Sequence, residues 1–235
     1  MAEAPPSLGE PLGFRPPEPP RREPLVGRHV LLQPLDAAGH GPDLYRASHG
    51  PEADPHLWDY LFNGPFADEA ALTAWLRQIE DSTDPLFLTV VDRATGRAQG
   101  MVSFMRITPA HGVIEIGNIW FGHAIQRTPI TTEAIYLLAA HTFEAMGYRR
   151  LEWKCNSLNA RSRAAALRLG FAYEGLFRQH MVVKDRSRDT TWYAMIDKDW
   201  PTIGKAFRGW LDPANLDAAG RQRRTLEAIR ASAGP

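Results

Sequence analysis

The chain has 235 residues, enough for a domain that buries about 70–75% of its unfolded surface around one sizeable core. Lys plus Arg and Asp plus Glu each number 27, and the pI is about 7.1. That balance lacks the positive field which non-specific nucleic-acid binding requires, so no nucleic-acid partner is expected. The basic cluster Arg161, Arg163 and Arg168 reads as an exposed helix face. No apolar run approaches the ~20 residues of a membrane span, and the N-terminus lacks a charged-then-apolar leader pattern. A single cysteine, Cys155, excludes an internal disulfide framework, which fits a cytoplasmic location. Cys155 lies mid-strand, where a nucleophile would be poorly presented, and reads as a small buried hydrophobe.

Residues 1–24 carry eight of the nineteen prolines and few large apolar side chains, so a disordered or polyproline-like Pro-rich tail is expected there. The folded part is expected over residues 25–200. LVGRHVLLQPL, from Leu25, reads as a first strand, followed by a turn and a short helix near Asp43–His49. The loop PHLWDYLFNGPF then leads to a helix capped by Asp68, with Leu72, Trp75, Leu76 and Ile79 on one stripe. PLFLTVVD, QGMVSFMRI and VIEIGNIWF read as three strands of an antiparallel meander. Val113–Phe121 is apolar on both faces and is expected to be central; Gly117 and Asn118 interrupt it, which suggests a bulge.

A polar loop follows, and a helix over Thr132–Met146 closed by Gly147, with Thr131 as its expected cap. RRLEWKCN reads as a strand, and Asn159 opens a helix ending at Leu169–Gly170. LFRQHMVV and TTWYAMID flank a charged turn. Residues 201–235 are expected as a helical extension, whose Pro201–Leu211 helix either packs within the chain or forms a homodimer interface. The element order predicts an α/β (α+β) fold, with a mixed, mostly antiparallel sheet between helices.

QRTPITTEA after the meander, and N-x-x-S followed by LRLGFAYEG after the next strand, are the residues on which the chain resembles a known family. It resembles the GNAT superfamily of acyl-CoA-dependent N-acetyltransferases, and within it the RimJ/RimL-like branch, over about Leu25 to Trp200. The resemblance implies acetyl-CoA as cosubstrate and a primary amine as acceptor, either a protein N-terminus or a small molecule. The reaction it implies is direct attack in a ternary complex.

It further implies that Gln126, Arg127, Thr128, Ile130, Thr131 and Thr132 surround the pyrophosphate. Pro129 stands where the family has its first loop glycine, and it has no N–H to give. The backbone of Ile119, Trp120 and Phe121 would meet the pantetheine, and Asn159 and Ser162 the thioester end. Ser162 is the candidate acid for the departing thiolate, although a helix start alone also explains Asn159 and Ser162. His180 and Glu115 are the candidate bases; His180 has the better-placed ordinary pKa. Trp58, Tyr60 and Phe66 are either an aromatic wall for the acceptor or core residues. No histidine spacing suggests a metal. Loss of the loop glycines leaves open a second reading, a non-catalytic acyl-CoA sensor.

Overall fold

The computed structural model describes residues 9–232. One eight-stranded sheet runs through it in the order β1-β2-β3-β4-β5-β6-β8-β7. Its strands are β1 Leu25–Val26, β2 Val30–Pro34, β3 Leu86–Asp92, β4 Arg97–Thr108, β5 Val113–Phe121, β6 Arg150–Asn156, β7 Ala172–Val183 and β8 Arg186–Ile196. Every neighbouring pair is antiparallel except β5 and β6, the mixed topology expected from the sequence. The helices are α1 Ala37–His49, α2 Glu69–Ile79, α3 Pro129–Ala140, α4 Ala160–Leu169, α5 Trp200–Leu211 and α6 Leu226–Ser232. None is long and apolar enough to cross a membrane.

Apolar side chains cover the sheet in two separate cores. One joins β2–β6 and β8 to α3, α4, α5 and α6. The other joins α1 and α2 to the alternate residues Phe87, Ala98, Met101 and Trp120 of the sheet. A strand whose successive side chains enter opposite cores must be apolar on both faces, which accounts for the composition of β5.

Several boundaries differ from expectation for local reasons. The first strand is two, because the turn Gly27–His29 is held by the buried Glu133 carboxylate. Glu133 accepts from the backbone N–H groups of Arg28, His29 and Val30 at 2.7, 2.6 and 3.0 Å. The first helix starts at Ala37, six residues earlier than Asp43, because Asp36 caps it through the N–H groups of Ala38 and Gly39. Helix α3 begins at Pro129 with Thr128, not Thr131, as its cap. Its end widens into a π-helical turn over His141–Ala145 before Gly147, whose φ of +73° closes it.

Residues 9–24, expected as disordered or polyproline-like, form no helix or strand and make contacts with the domain. Arg22 pairs with Asp81 at 2.6 Å, the Tyr148 hydroxyl donates to Glu18 O at 3.4 Å, and Pro20 is buried. Residues 1–8 of that expected tail, and 233–235 of the expected extension, lie outside the described residues. Helix α5 packs within the chain, with Phe207 and Trp210 buried in the larger core and Leu226 of α6 beside them.

Candidate active site

The site begins with a parting of two parallel strands. β5 and β6 pair through Val113↔Arg150, Ile114↔Leu151 and Glu115↔Glu152, and the ladder stops there. Beyond it β5 stays with β4 while β6 stays with β8 down to Asn156↔Thr190. The cause of the divergence is legible in β5. Its register against β4 slips between Met101↔Trp120 and Ser103↔Gly117, and Asn118 takes a left-handed φ of +51°. A Cβ at Gly117 would meet Met105 Sδ, so that flexible side chain would have to move for any other residue to stand at the bulge.

The gap opens into a cleft of about 650 Å³. One wall is Ile116–Phe121; the other is Trp153–Asn156 with the start of α4. Gln126, Asn159 and Ser162 all line it. The first turn of α3 is tied to the last turn of α4 by Arg168, whose Nη1 donates to Thr132 Oγ1 at 3.1 Å.

At the α4 end, Asn159 Oδ1 accepts from the Ser162 N–H at 3.0 Å, a helix cap, which leaves the Asn159 amide NH2 toward the cleft. Trp153 Nε1 donates to Ser162 Oγ at 3.0 Å. A hydroxyl that already accepts keeps its own hydrogen for donation, so Ser162 is arranged as a donor.

At the α3 end the expected residues separate. Arg127 is exposed, with a left-handed φ of +61°. Thr128 Oγ1 donates to Ile125 O at 2.6 Å and caps Ile130 N; Thr131 Oγ1 donates to Thr128 O at 3.3 Å. Ile130 packs against the larger core, and Thr132 is buried on Arg168, so neither presents its side chain to a ligand. Phe121 O is taken by Gln126 Nε2 at 2.9 Å. The Trp120 indole lies in the smaller core against Trp58, while its backbone borders the cleft.

On the acceptor side the three aromatic candidates divide. Tyr60 lines the cleft and its hydroxyl donates to Leu158 O at 3.2 Å. Trp58, 4% exposed, packs among His49, Phe66 and Trp120, and Phe66 lies between Trp58 and Trp75. Those two rings are core residues. Their position is set by α1 and α2, which no local pattern in the loop announces.

The floor of the cleft surrounds Glu115 with charges that the sequence does not single out, Lys154, Arg106 and Glu152. Lys154 Nζ is 2.7 Å from Glu115 Oε2, 2.6 Å from Glu152 Oε2 and 3.8 Å from the Trp192 ring centroid. Arg106 adds a 3.3 Å contact to Glu115, and Arg150 holds Glu152 at 2.8 Å and Glu174 through both terminal nitrogens. Burial pushes the Glu115 carboxyl up despite the opposing pull of Lys154 and Arg106. Burial would raise Glu152 too, but hydrogen bonds from Lys154 and Arg150 outweigh it and hold that carboxyl low. A lysine in the apolar strand LEWKC was the available signal, because such a residue needs an anion on the next strand.

His180 lines the cleft with Nδ1 3.1 Å from Thr190 Oγ1. Burial lowers its pKa below the ordinary histidine value, and Arg106, Arg188 and Lys154 lower it further. Cys155 is buried, 3.2 Å from Thr191 Oγ1. Among the described residues no group of three or more His, Cys, Asp or Glu is placed to hold a metal.

A splayed parallel pair, a bulged strand, Gln126 before α3 and the start of α4 meet on one cleft, and residues 29–172 match the family model described as "Acetyltransferase (GNAT) domain". The chain belongs to the GNAT acetyltransferase family. The GNAT fold is equally clear in solved structures. A GCN5-related N-acetyltransferase from Brucella melitensis is 45% identical with a TM-score of 0.90, covering 93% of this chain and 99% of that one. The Microcin C7 self immunity acetyltransferase MccE, solved in complex with acetyl-CoA and AMP, shares the fold at 22% identity and a TM-score of 0.63, over 72% of this chain and 93% of that one. Ribosomal-protein-serine acetyltransferase of Escherichia coli (strain K12) is 35% identical over 97 residues, 41% of this chain and 54% of that protein. The matched segment thus spans about half of that relative. Acetyl-CoA is the cosubstrate of GNAT acetyltransferases.

Proposed function

We propose that the chain transfers an acetyl group from acetyl-CoA to a primary amine by direct attack in a ternary complex. The observation that carries this reading is the exposed inner edge of β5 beyond Glu115, facing the donor hydroxyl of Ser162 across one cleft. An unpaired strand edge suits a linear, amide-bearing arm, which can add to it as a further strand. Acetyl-CoA supplies an activated thioester; the rest is done by the chain's own residues.

His180 takes the proton from the acceptor amine. Its lowered pKa keeps the ring neutral at pH 7, and the tautomer with Nδ1–H on Thr190 leaves Nε2 free to accept. Ser162 donates its hydroxyl hydrogen to the departing sulfur, and Asn159 offers its amide NH2 beside it. Glu115, engaged by Lys154 and Arg106, holds those cations in place instead of taking the proton. At α3, Pro129 offers no N–H and Ile130 N is spent on Thr128. The Thr131 N–H and the exposed Arg127 guanidinium are therefore the groups offered to a pyrophosphate.

The test is thiol release from acetyl-CoA against a panel of small amines and N-terminal peptides. Amine-dependent release that falls in Ser162→Ala supports the reading. Tight CoA binding with no release for any amine favours the sensor instead.

A further inference from the structure

Charges in the cleft are matched with one exception. Asp54 pairs with Arg161, His56 with Asp59, and Lys154 and Arg106 with the buried glutamates. Arg188 has no carboxylate in ion-pair range among the described residues, although it is 7% exposed and lines the cleft. Its Nε donates to Thr190 Oγ1 at 3.2 Å and its guanidinium lies 5.2 Å from the Phe62 ring centroid. The terminal nitrogens make no hydrogen bond among the described residues. Four of the five donors of a planar fork are thus left without a protein partner on a residue that lines the cavity. A largely buried guanidinium in a substrate cleft, with no carboxylate of its own in ion-pair range, is placed to take its counter-ion from a ligand.

Its place in the cleft defines what the anion belongs to. Thr190 Oγ1 touches both Arg188 Nε and His180 Nδ1, at 3.2 and 3.1 Å. An anion seated on Arg188 therefore lies a few bonds from an amine presented to His180. Resting on the transfer reaction proposed above, we propose that Arg188 is a specificity residue which selects acceptors carrying a carboxylate or phosphate group a few bonds from the reacting amine. Two sources share that chemistry: a free amino acid or aminophosphate, and an acidic residue at a peptide N-terminus. A planar fork binds such groups bidentately, and cationic amines are repelled.

The experiment is calorimetric titration of the full chain, saturated with CoA, using matched probes. β-Alanine is compared with β-alaninamide, phosphoethanolamine with ethanolamine, and peptides beginning with Asp or Glu with those beginning with Asn or Gln. The anionic member of at least one pair should bind about 10- to 100-fold more tightly, the range for a charge-assisted hydrogen-bonded pair. Which pair responds tells the small acids from the peptides. Arg188→Gln should abolish the preference with CoA affinity unchanged, and Arg188→Lys should retain part of it. Equal affinities within every pair, no binding of any probe, or a preference that survives Arg188→Gln would overturn the assignment; the wild-type comparison stands even where a variant does not fold. Thiol release with the same probes separates the two ideas. Anion preference without turnover leaves the Arg188 site and removes the transfer reaction, whereas indiscriminate turnover does the reverse.

Discussion

Lys154→Met isolates the electrostatics of the cleft floor. The lysine side chain is 5% exposed and sits between two carboxylates whose side chains are 6% and 12% exposed. At separations near 2.7 Å and an effective dielectric of about 20, each attraction is worth about 6 kcal/mol gross. Desolvation of the three ions cancels most of it, so the net value of the cluster is far smaller. The deletion is nevertheless costly, because the carboxylates stay behind. Removing one partner of a buried pair costs about 3–5 kcal/mol. Arg106 still reaches Glu115 and Arg150 still reaches Glu152, which favours the lower figure, about 3 kcal/mol at pH 7.

The pH dependence distinguishes this from a packing defect. Without Lys154 the Glu115 carboxyl is held further above its unfolded value than in the parent, and Glu152, left with Arg150 alone, is depressed less. A group with a raised folded pKa contributes stability below its unfolded pKa and loses it as pH rises through the folded pKa. The deficit should therefore be greatest near pH 7 and shrink toward pH 4, where the carboxyls carry protons in both states. Urea denaturation of parent and variant at pH 7 and pH 4.5 measures it, and Glu115→Gln in the variant background should restore about 1–2 kcal/mol at pH 7. An equal deficit at both pH values, or one below about 1 kcal/mol, would refute the reasoning.

His180→Asn should lower kcat/KM by about 10²–10³-fold. In the parent, kcat/KM should fall on the acid side of a pKa lying below the ordinary histidine value, and that limb should be missing from the variant's pH profile. Ser162→Ala should lower kcat about 10-fold, the modest gain of donation to a good leaving group, with KM for acetyl-CoA nearly constant in steady-state kinetics. Glu133→Ala strands three backbone donors in the β1–β2 turn and should cost about 3 kcal/mol in thermal or chemical unfolding, with CoA affinity in the remaining folded protein unchanged.

What was legible in the chain was what short-range rules decide. Asp68 and Asn159 cap helices where a short polar side chain precedes an apolar period, Gly170 ends α4 at φ +102°, and Gly117–Asn118 marks the bulge because a strand rarely contains that pair without one. The misses have a common cause in contacts between distant segments. Residues 9–24 look too poor in apolar groups to fold, yet Arg22 and Glu18 find partners 59 and 130 residues away. Trp58 and Phe66 have the composition of a ligand wall and become core because α1 and α2 close over them. Lys154 and Arg188 are unremarkable in sequence; their meaning depends on which strands lie beside β6 and β8.

The loop before α3 shows how the site tolerates a departure from the family pattern. A glycine there would supply a backbone donor and a left-handed conformation together. In this chain the two are split: Arg127 takes the left-handed φ, and Pro129 occupies the first helical position, where a missing N–H costs nothing to the helix itself. The loop keeps its path because Thr128 bonds on both sides, to Ile125 O and to Ile130 N. On the function proposed above, the groups offered to a pyrophosphate change from a ring of amides toward one amide and a guanidinium. A guanidinium is solvated and screened by salt in a way that fixed amides are not. The opening of the cleft survives the substitution, because it is set by the splay of β5 from β6, which does not involve the altered residues.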